Sequence, residues 1–254
     1  MKNYKIILSY DGSRYNGWQK QGNTDNTIQE KLEKLLSQLI GQEIEVAGSG
    51  RTDAGTHARG QVIHFHANWK GSAEALLNAF NERLPEDIAG LSIEEMSPRF
   101  HSRLSAKAKH YSYTIWHSKK PPVFWRKYVF RCPEGLDMKA MQAAAEVFVG
   151  EHDFKSFCAN KRMKKSTVRT IYDIRFEETA DRLTLHFYGN GFLYQMVRIL
   201  TGTLIEVGEG KRDARDMQAI LKAENREAAG FTAPSRGLCL EEVFYEEWEG
   251  GEEE

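Results

Sequence analysis

The sequence predicts an α+β fold of two similar halves, with largely antiparallel sheets and helices packed on their outer faces. Three observations lead there. Short runs with period-two alternation are interleaved with longer runs whose apolar residues recur at helical spacing. The order of these runs in residues 1–96 partly repeats after residue 107. The length, 254 residues, suffices for one large core or two moderate ones.

The first half opens with a strand at residues 4–10 (YKIILSY), followed by a Gly/Asn-rich loop over 11–26. A helix then starts at Thr27, which with Glu30 forms a T-x-x-E capping box, and Ile28, Leu32, Leu35, Leu36 and Leu39 share one face before Gly41 ends it. Strands are expected at 43–49 and 61–67, a helix at 72–84 capped by Ser72, and a strand at 88–96. That order, βαββαβ, is the split βαβ or ferredoxin-like arrangement.

The second half begins near Lys107, where the alternating aromatics of residues 110–116 (HYSYTIW) mark a strand. A helix over 137–149 is capped by Asp137 and stopped by Gly150. Strands follow at 168–176 and 182–188, then an apolar helix at 192–207, a short helix at 213–223 and a closing strand at 238–245. The halves meet around residues 97–106, giving an expected N-terminal domain 1–104 and C-terminal domain 105–254 with an acidic tail 246–254. A central cleft between such halves is a common place for a site.

Net charge is −1, yet residues 241–254 hold eight glutamates and no lysine or arginine, which leaves residues 1–240 at +7. The body is basic and the end acidic. Three basic clusters stand out: Arg99, Arg103, Lys107 and Lys109; Lys119, Lys120, Arg126 and Lys127; and Lys161, Arg162, Lys164, Lys165 and Arg169. They suit the phosphates of a structured RNA, although any one charge run is also what a solvated face looks like.

Cys132, Cys158 and Cys239 stand far apart without a CxxC pair, so they read as reduced and structural. No apolar run approaches the roughly 20 residues of a membrane span, and no signal-type region follows Met1, so no membrane association and a cytoplasmic address are expected. P-loop, G-x-G-x-x-G and H-E-x-x-H motifs are missing, which disfavours ATP use, dinucleotide redox chemistry and zinc hydrolysis. His64 and His66 share one side of a strand, but no third ligand is recognisably placed with them, and no metal is expected.

The densest cluster of special residues is 48–57 (GSGRTDAGTH). Gly48, Gly50 and Gly55 permit a tight path that would present Arg51, Thr52 and Asp53 at a strand edge. By spacing alone a plain turn is the better explanation of the segment, since Gly and Asp are ordinary turn residues.

Identity goes further than spacing. G-R-T-D-A-G-x-H resembles the catalytic signature of the tRNA pseudouridine synthase A family, and other segments similar to that family's follow in its order. They are residues 10–19 (YDGSRYNGWQ), 29–33 (QEKLE), 61–65 (QVIHF), 100–106 (FHSRLSA) with Tyr111, 191–198 (GFLYQMVR) and 237–240 (GLCL). Ser102 and Leu104 stand where the family's motif has Ala and Phe, and Thr56 fills a variable place.

The resemblance implies an isomerase that converts uridine to pseudouridine at positions 38 to 40 of the anticodon arm of tRNA, acting as a homodimer without a small-molecule cofactor. It makes Asp53 the catalytic carboxylate: nucleophile toward C1′ of the ribose or C6 of the base, or the base that removes a ribose proton. Arg198 lies in the apolar helix, where an unpaired guanidinium is costly, so it either snorkels to water or pairs with a carboxylate; the resemblance favours pairing with Asp53. Tyr111 matches the family's substrate-stacking tyrosine, although a strand aromatic taken alone is more often core. Arg51 and Thr52 adjoin the carboxylate on the substrate side, with Arg51 placed to contact RNA or fill the space of an extruded base. Leu238 either closes the apolar side of the pocket or simply packs in the core. The competing expectation is a non-catalytic RNA-binding or RNA-folding module of the same fold.

Overall fold

The structure, a computed structural model, describes residues 1–132, 135–160, 162–248 and 250. It is mixed α+β with largely antiparallel pairing, and its contacts define two compact units: Met1–Lys107 with Cys239–Glu247, and Ala108–Leu238 with the residues from Trp248 onward.

The first unit follows the expected order, with β1 (Lys2–Tyr10), α1 (Ile28–Ile40), β2 (Ala47–Gly48), β3 (His57–Ala67), α2 (Ala73–Asn81) and β4 (Ile88–Met96). β1 pairs antiparallel with both β3 and β4, and β2 pairs antiparallel with β3, giving the ferredoxin-like strand sequence β4-β1-β3-β2. Alternation along β1 buries Tyr4, Ile6 and Leu8. α1 forms where the capping residues dictate: the Thr27 hydroxyl accepts the Glu30 N–H at 3.4 Å, and Gly41 closes the helix at φ 76°. Its buried stripe is Ile28, Leu32 and Leu36, and α2 contributes Leu76 and Phe80.

The expected strand at 43–49 shrinks to the two residues of β2. Side chains of α1 take the backbone groups that a ladder would have used. The Ile44 N–H donates to Ser37 Oγ at 2.9 Å, Val46 N–H donates to Glu33 Oε1 at 3.1 Å, and Gln29 Nε2 donates to the Val46 carbonyl at 3.1 Å.

The closing strand, Leu238–Phe244, runs parallel to β3 through Cys239 and Leu240 opposite His57 and Ala58. The contacts divide the chain after Lys107, where the sequence suggested residue 104, and return 239–247 to the first unit. Lys107 N–H donates to the Phe244 carbonyl at 2.8 Å, and Tyr245 donates its hydroxyl to the Ser102 carbonyl at 2.8 Å while its ring lies 5.0 Å from that of Phe100.

The second unit contains β5 (Ala108–Trp116), β6 (Phe130–Arg131), α3 (Met138–Glu146), β7 (Gly150–Asp153), β8 (Val168–Glu178), β9 (Arg182–Gly189), α4 (Met196–Gly208) and α5 (Met217–Ala223). Its strands lie in the order β5-β9-β8-β7, all antiparallel, with β6 parallel to β5. α4 is buried along nearly its whole length, from Met196 to Gly208. It starts four residues later than its apolar run, because Gln195 adopts φ 60°, a left-handed conformation that cannot continue a helix. The acidic tail begins with an anchor: the Trp248 ring stacks on Tyr172 at 5.3 Å and Tyr188 at 5.4 Å. After Trp248, only Gly250 of that tail is among the described residues.

Candidate active site

In the first unit the segment 48–57 is a loop with a rigid frame. Its entry is fixed at Ser49, whose N–H donates to the Val62 carbonyl at 2.8 Å and whose hydroxyl donates to Gln61 Oε1 at 2.7 Å; Gln61 Nε2 in turn donates to the Gly50 carbonyl at 3.0 Å. Its exit is a turn in which Thr56 N–H donates to the Asp53 carbonyl at 3.1 Å, made possible by Gly55 at φ 75°. Between these points Thr52 is buried, and its hydroxyl shares a buried 2.8 Å hydrogen bond with the Tyr10 phenol. Burial pushes the Tyr10 pKa well above the usual tyrosine range, the bond to Thr52 opposing it in part, so the phenol stays neutral.

The residues 10–19 that the sequence marks as a motif prove to be the brace for this loop. Trp18 N–H donates to the Thr52 carbonyl at 3.0 Å. The Trp18 indole covers Gly48 so closely that a Cβ there would come within 2.6 Å of the ring. A Cβ on Gly12 would fall 1.9 Å from the Thr56 carbonyl oxygen, and Gly17, at φ 91°, would set one 2.9 Å from that of Thr52. Gly12 and Gly17 are therefore needed for close approach of two backbones, and Gly48 for the seat of the indole. Sequence reasoning quoted these residues for their identity and missed this work, which no local pattern signals.

The frame holds Asp53 half-buried on its loop, Thr52 buried and Arg51 exposed. Ser102 does more than fill a motif position. Its N–H donates to His64 Nδ1 at 3.2 Å and its hydroxyl donates to the Ala47 carbonyl at 2.8 Å. His64 packs 4.5 Å from the His101 ring, and burial, with the neighbouring His101 and His66, lowers its pKa to about 4. Among the described residues no group of three or more His, Cys, Asp or Glu is arranged to hold a metal ion.

In the second unit Tyr111 lies on β5, 8% exposed, with its ring meeting Phe192 edge to face at 5.2 Å. Arg198 is the third residue of α4, half-buried, and its Nε donates to the Ala233 carbonyl at 2.7 Å. Its charge is felt by the buried Tyr113 phenol, whose pKa burial raises and Arg198 and Arg236 partly restrain. Leu238 is buried. The structure thus assigns Asp53, Thr52 and Arg51 to one unit, and Tyr111, Arg198 and Leu238 to the other.

Of the basic residues, Arg99, Arg103 and Lys107 are exposed in the first unit, Lys107 also meeting Glu247 at 2.8 Å. In the second unit Lys109 is half-buried, and Arg162, Lys164 and Lys165 are exposed. Lys161 lies outside the described residues. Lys164 and Lys165 line a pocket of about 480 Å³ together with Lys155, Arg226 and Asp153. Burial raises the Cys132 thiol to about 11 and pushes Cys239 further, which suits structural thiols and not nucleophiles.

The braced loop thus holds one carboxylate beside an exposed arginine, an arrangement able to support nucleophilic or acid–base chemistry. The family model described as tRNA pseudouridine synthase matches residues 6–103 and 144–246. The tRNA pseudouridine synthase A 2 of Bacillus cereus (strain ZK / E33L) is 44% identical over 245 residues, spanning 96% of this chain and 100% of its own. The tRNA pseudouridine synthase A of Brevibacillus brevis is 43% identical over the same shares. Among solved structures, a chain of a Cbf5–Nop10–Gar1 complex aligns with a TM-score of 0.37 at 14% identity, over 80% of this chain and 45% of that one. The chain belongs to the tRNA pseudouridine synthase family, whose members are isomerases.

Proposed function

We propose that this protein converts uridine to pseudouridine in the anticodon arm of tRNA, at positions 38 to 40, with Asp53 as the group that carries the reaction. The observation that carries the reading is the frame around 48–57, in which a buried hydrogen bond, two close backbone approaches and the Trp18 indole over Gly48 hold one acidic residue in place. Such pre-organisation is what covalent or proton-transfer work requires of a side chain.

The reaction detaches uracil from C1′, turns the ring and rejoins it through C5. Bonds made and broken balance without oxidant, reductant or water. Asp53 serves as nucleophile toward C1′ or C6, or as the base that takes a ribose proton. Arg198 pairs with the carboxylate and directs it. Tyr111 packs on the flipped uracil, Leu238 closes the apolar side, and Arg51 and Thr52 border the space that the base leaves. Arg99, Arg103, Lys107, Lys109, Lys161, Arg162, Lys164 and Lys165 contact phosphates. The enzyme works as a homodimer in the cytoplasm. No helix among the described residues is long and apolar enough to cross a membrane.

The test is incubation with unmodified tRNA transcript and position-by-position mapping of pseudouridine. Product in the anticodon arm, lost in Asp53→Asn while tRNA binding survives, is the expected outcome. Product from Asp53→Asn would overturn the site, and binding without product from the parent would leave an RNA-binding module. Sedimentation equilibrium reads the dimer.

A further inference from the structure

Residues 230–233 form a strap laid along one face of α4, one end of it bonded to Arg198. Arg198, Gly202 and Glu206 repeat at intervals of four and so line that face, with Thr203 beside them. Arg198 Nε donates to the Ala233 carbonyl at 2.7 Å, and Ala233 N–H donates back to the Arg198 carbonyl at 3.1 Å. One turn along, the Gly230 N–H donates to Thr203 Oγ1 at 2.9 Å, a buried bond. The Phe231 N–H donates to Glu206 Oε1 at 3.1 Å, while Glu206 Oε2 accepts Arg212 Nε at 3.1 Å and Nη2 at 3.0 Å. The strap lies so close that a Cβ on Gly202 would stand 1.9 Å from the Phe231 carbonyl oxygen, and one on Gly230 would stand 2.7 Å from Thr203 Cα. Beyond Ala233, the Tyr113 hydroxyl donates to the Pro234 carbonyl at 2.7 Å.

The Ala233 carbonyl that orients the guanidinium is thus held from both sides, and the holding groups sit one and two turns away from Arg198. We infer that Thr203 and Glu206 are positioning residues: by pinning the strap to α4 they set the Ala233 carbonyl and, through it, the direction of the Arg198 guanidinium. This rests on the role proposed for Arg198. A guanidinium tethered at Nε by a fixed carbonyl presents its remaining fork in one plane, and a displacement of the tether rotates that plane.

The test uses the full-length enzyme and unmodified tRNA transcript. Thr203→Val keeps the shape of the side chain and removes the acceptor for Gly230 N–H. It should lower kcat about tenfold with KM for tRNA within about twofold, the pattern of a misaligned group that does not bind RNA. Thr203→Ser restores the hydroxyl and should return kcat to within about twofold of the parent. Glu206→Gln is the second variant. Whichever way the amide turns, its NH₂ faces either Phe231 N–H or Arg212, so kcat should again fall with KM held; this variant decides the matter if Thr203→Val does not melt cooperatively. In an Arg198→Lys background the Thr203→Val loss should vanish, since the residue it acts through is gone. Parental kcat in a folded Thr203→Val, a failed rescue by Ser, or an undiminished loss in the Arg198→Lys background would overturn the inference. Parental activity in Arg198→Lys alone would instead overturn the role of Arg198.

Discussion

Replacing Tyr10 by Phe deletes one oxygen from the frame under the proposed catalytic loop. The lost bond is 2.8 Å long, and its ends are 4% and 6% exposed, so the abandoned Thr52 hydroxyl has little access to water. A buried polar group left in this way costs about 1–3 kcal/mol, whereas removing both partners together is close to neutral. Tyr10→Phe and Thr52→Val should therefore each lower the unfolding free energy by about 1–2 kcal/mol, and the double variant should cost much less than their sum. Urea denaturation followed by tryptophan fluorescence measures all three. Because Thr52 adjoins Asp53 directly, product formation should fall about tenfold in each single variant even under conditions where all molecules are folded. Additive stability losses in the double variant, or full activity in Tyr10→Phe, would refute the claim that this bond frames the loop.

Gly12→Ala should cost about 1–3 kcal/mol or more and most of the activity, because the added methyl would sit 1.9 Å from a carbonyl oxygen of Thr56 that cannot swing aside; thermal melting and tRNA turnover check both. His64 takes its proton near 4 in the folded chain and near 6.5 when unfolded, so its contribution to stability is complete above pH 6.5 and declines as pH falls toward 4. The variant His64→Gln should flatten the melting temperature across that window, and an unchanged slope would show that another group is responsible. Affinity for tRNA should fall on the order of a thousandfold between about 50 and 200 mM salt if roughly six phosphates are contacted, as filter binding would record.

Much of the fold was legible because its signals are local. Thr27, Glu30 and Gly41 bracket α1, and the alternation in residues 4–10 announces β1. What escaped depends on distant partners. The strand expected at 43–49 failed because Ser37, Glu33 and Gln29 satisfy its backbone from a helix, a competition invisible in a strand's own composition. The late start of α4 turns on the left-handed Gln195, which no propensity favours. The parallel pairing of the closing strand with β3 joins residues some 180 positions apart, as with Arg59 and Glu241. Asp53 was singled out through the likeness of its motif. The packing of that motif, two glycine-bearing segments laid backbone to backbone, became visible only once the chain was folded.

The seating of 239–247 on the first unit has a consequence for biosynthesis. Gly60 admits the Glu241 carbonyl so closely that a Cβ would lie 2.2 Å away, and without that neighbour one edge of β3 is bare. A nascent chain emerging from the ribosome carries this open edge until residues 239–247 have been synthesised, after the whole of the second unit. Completion of the first unit's sheet therefore waits until the intervening second unit has been made.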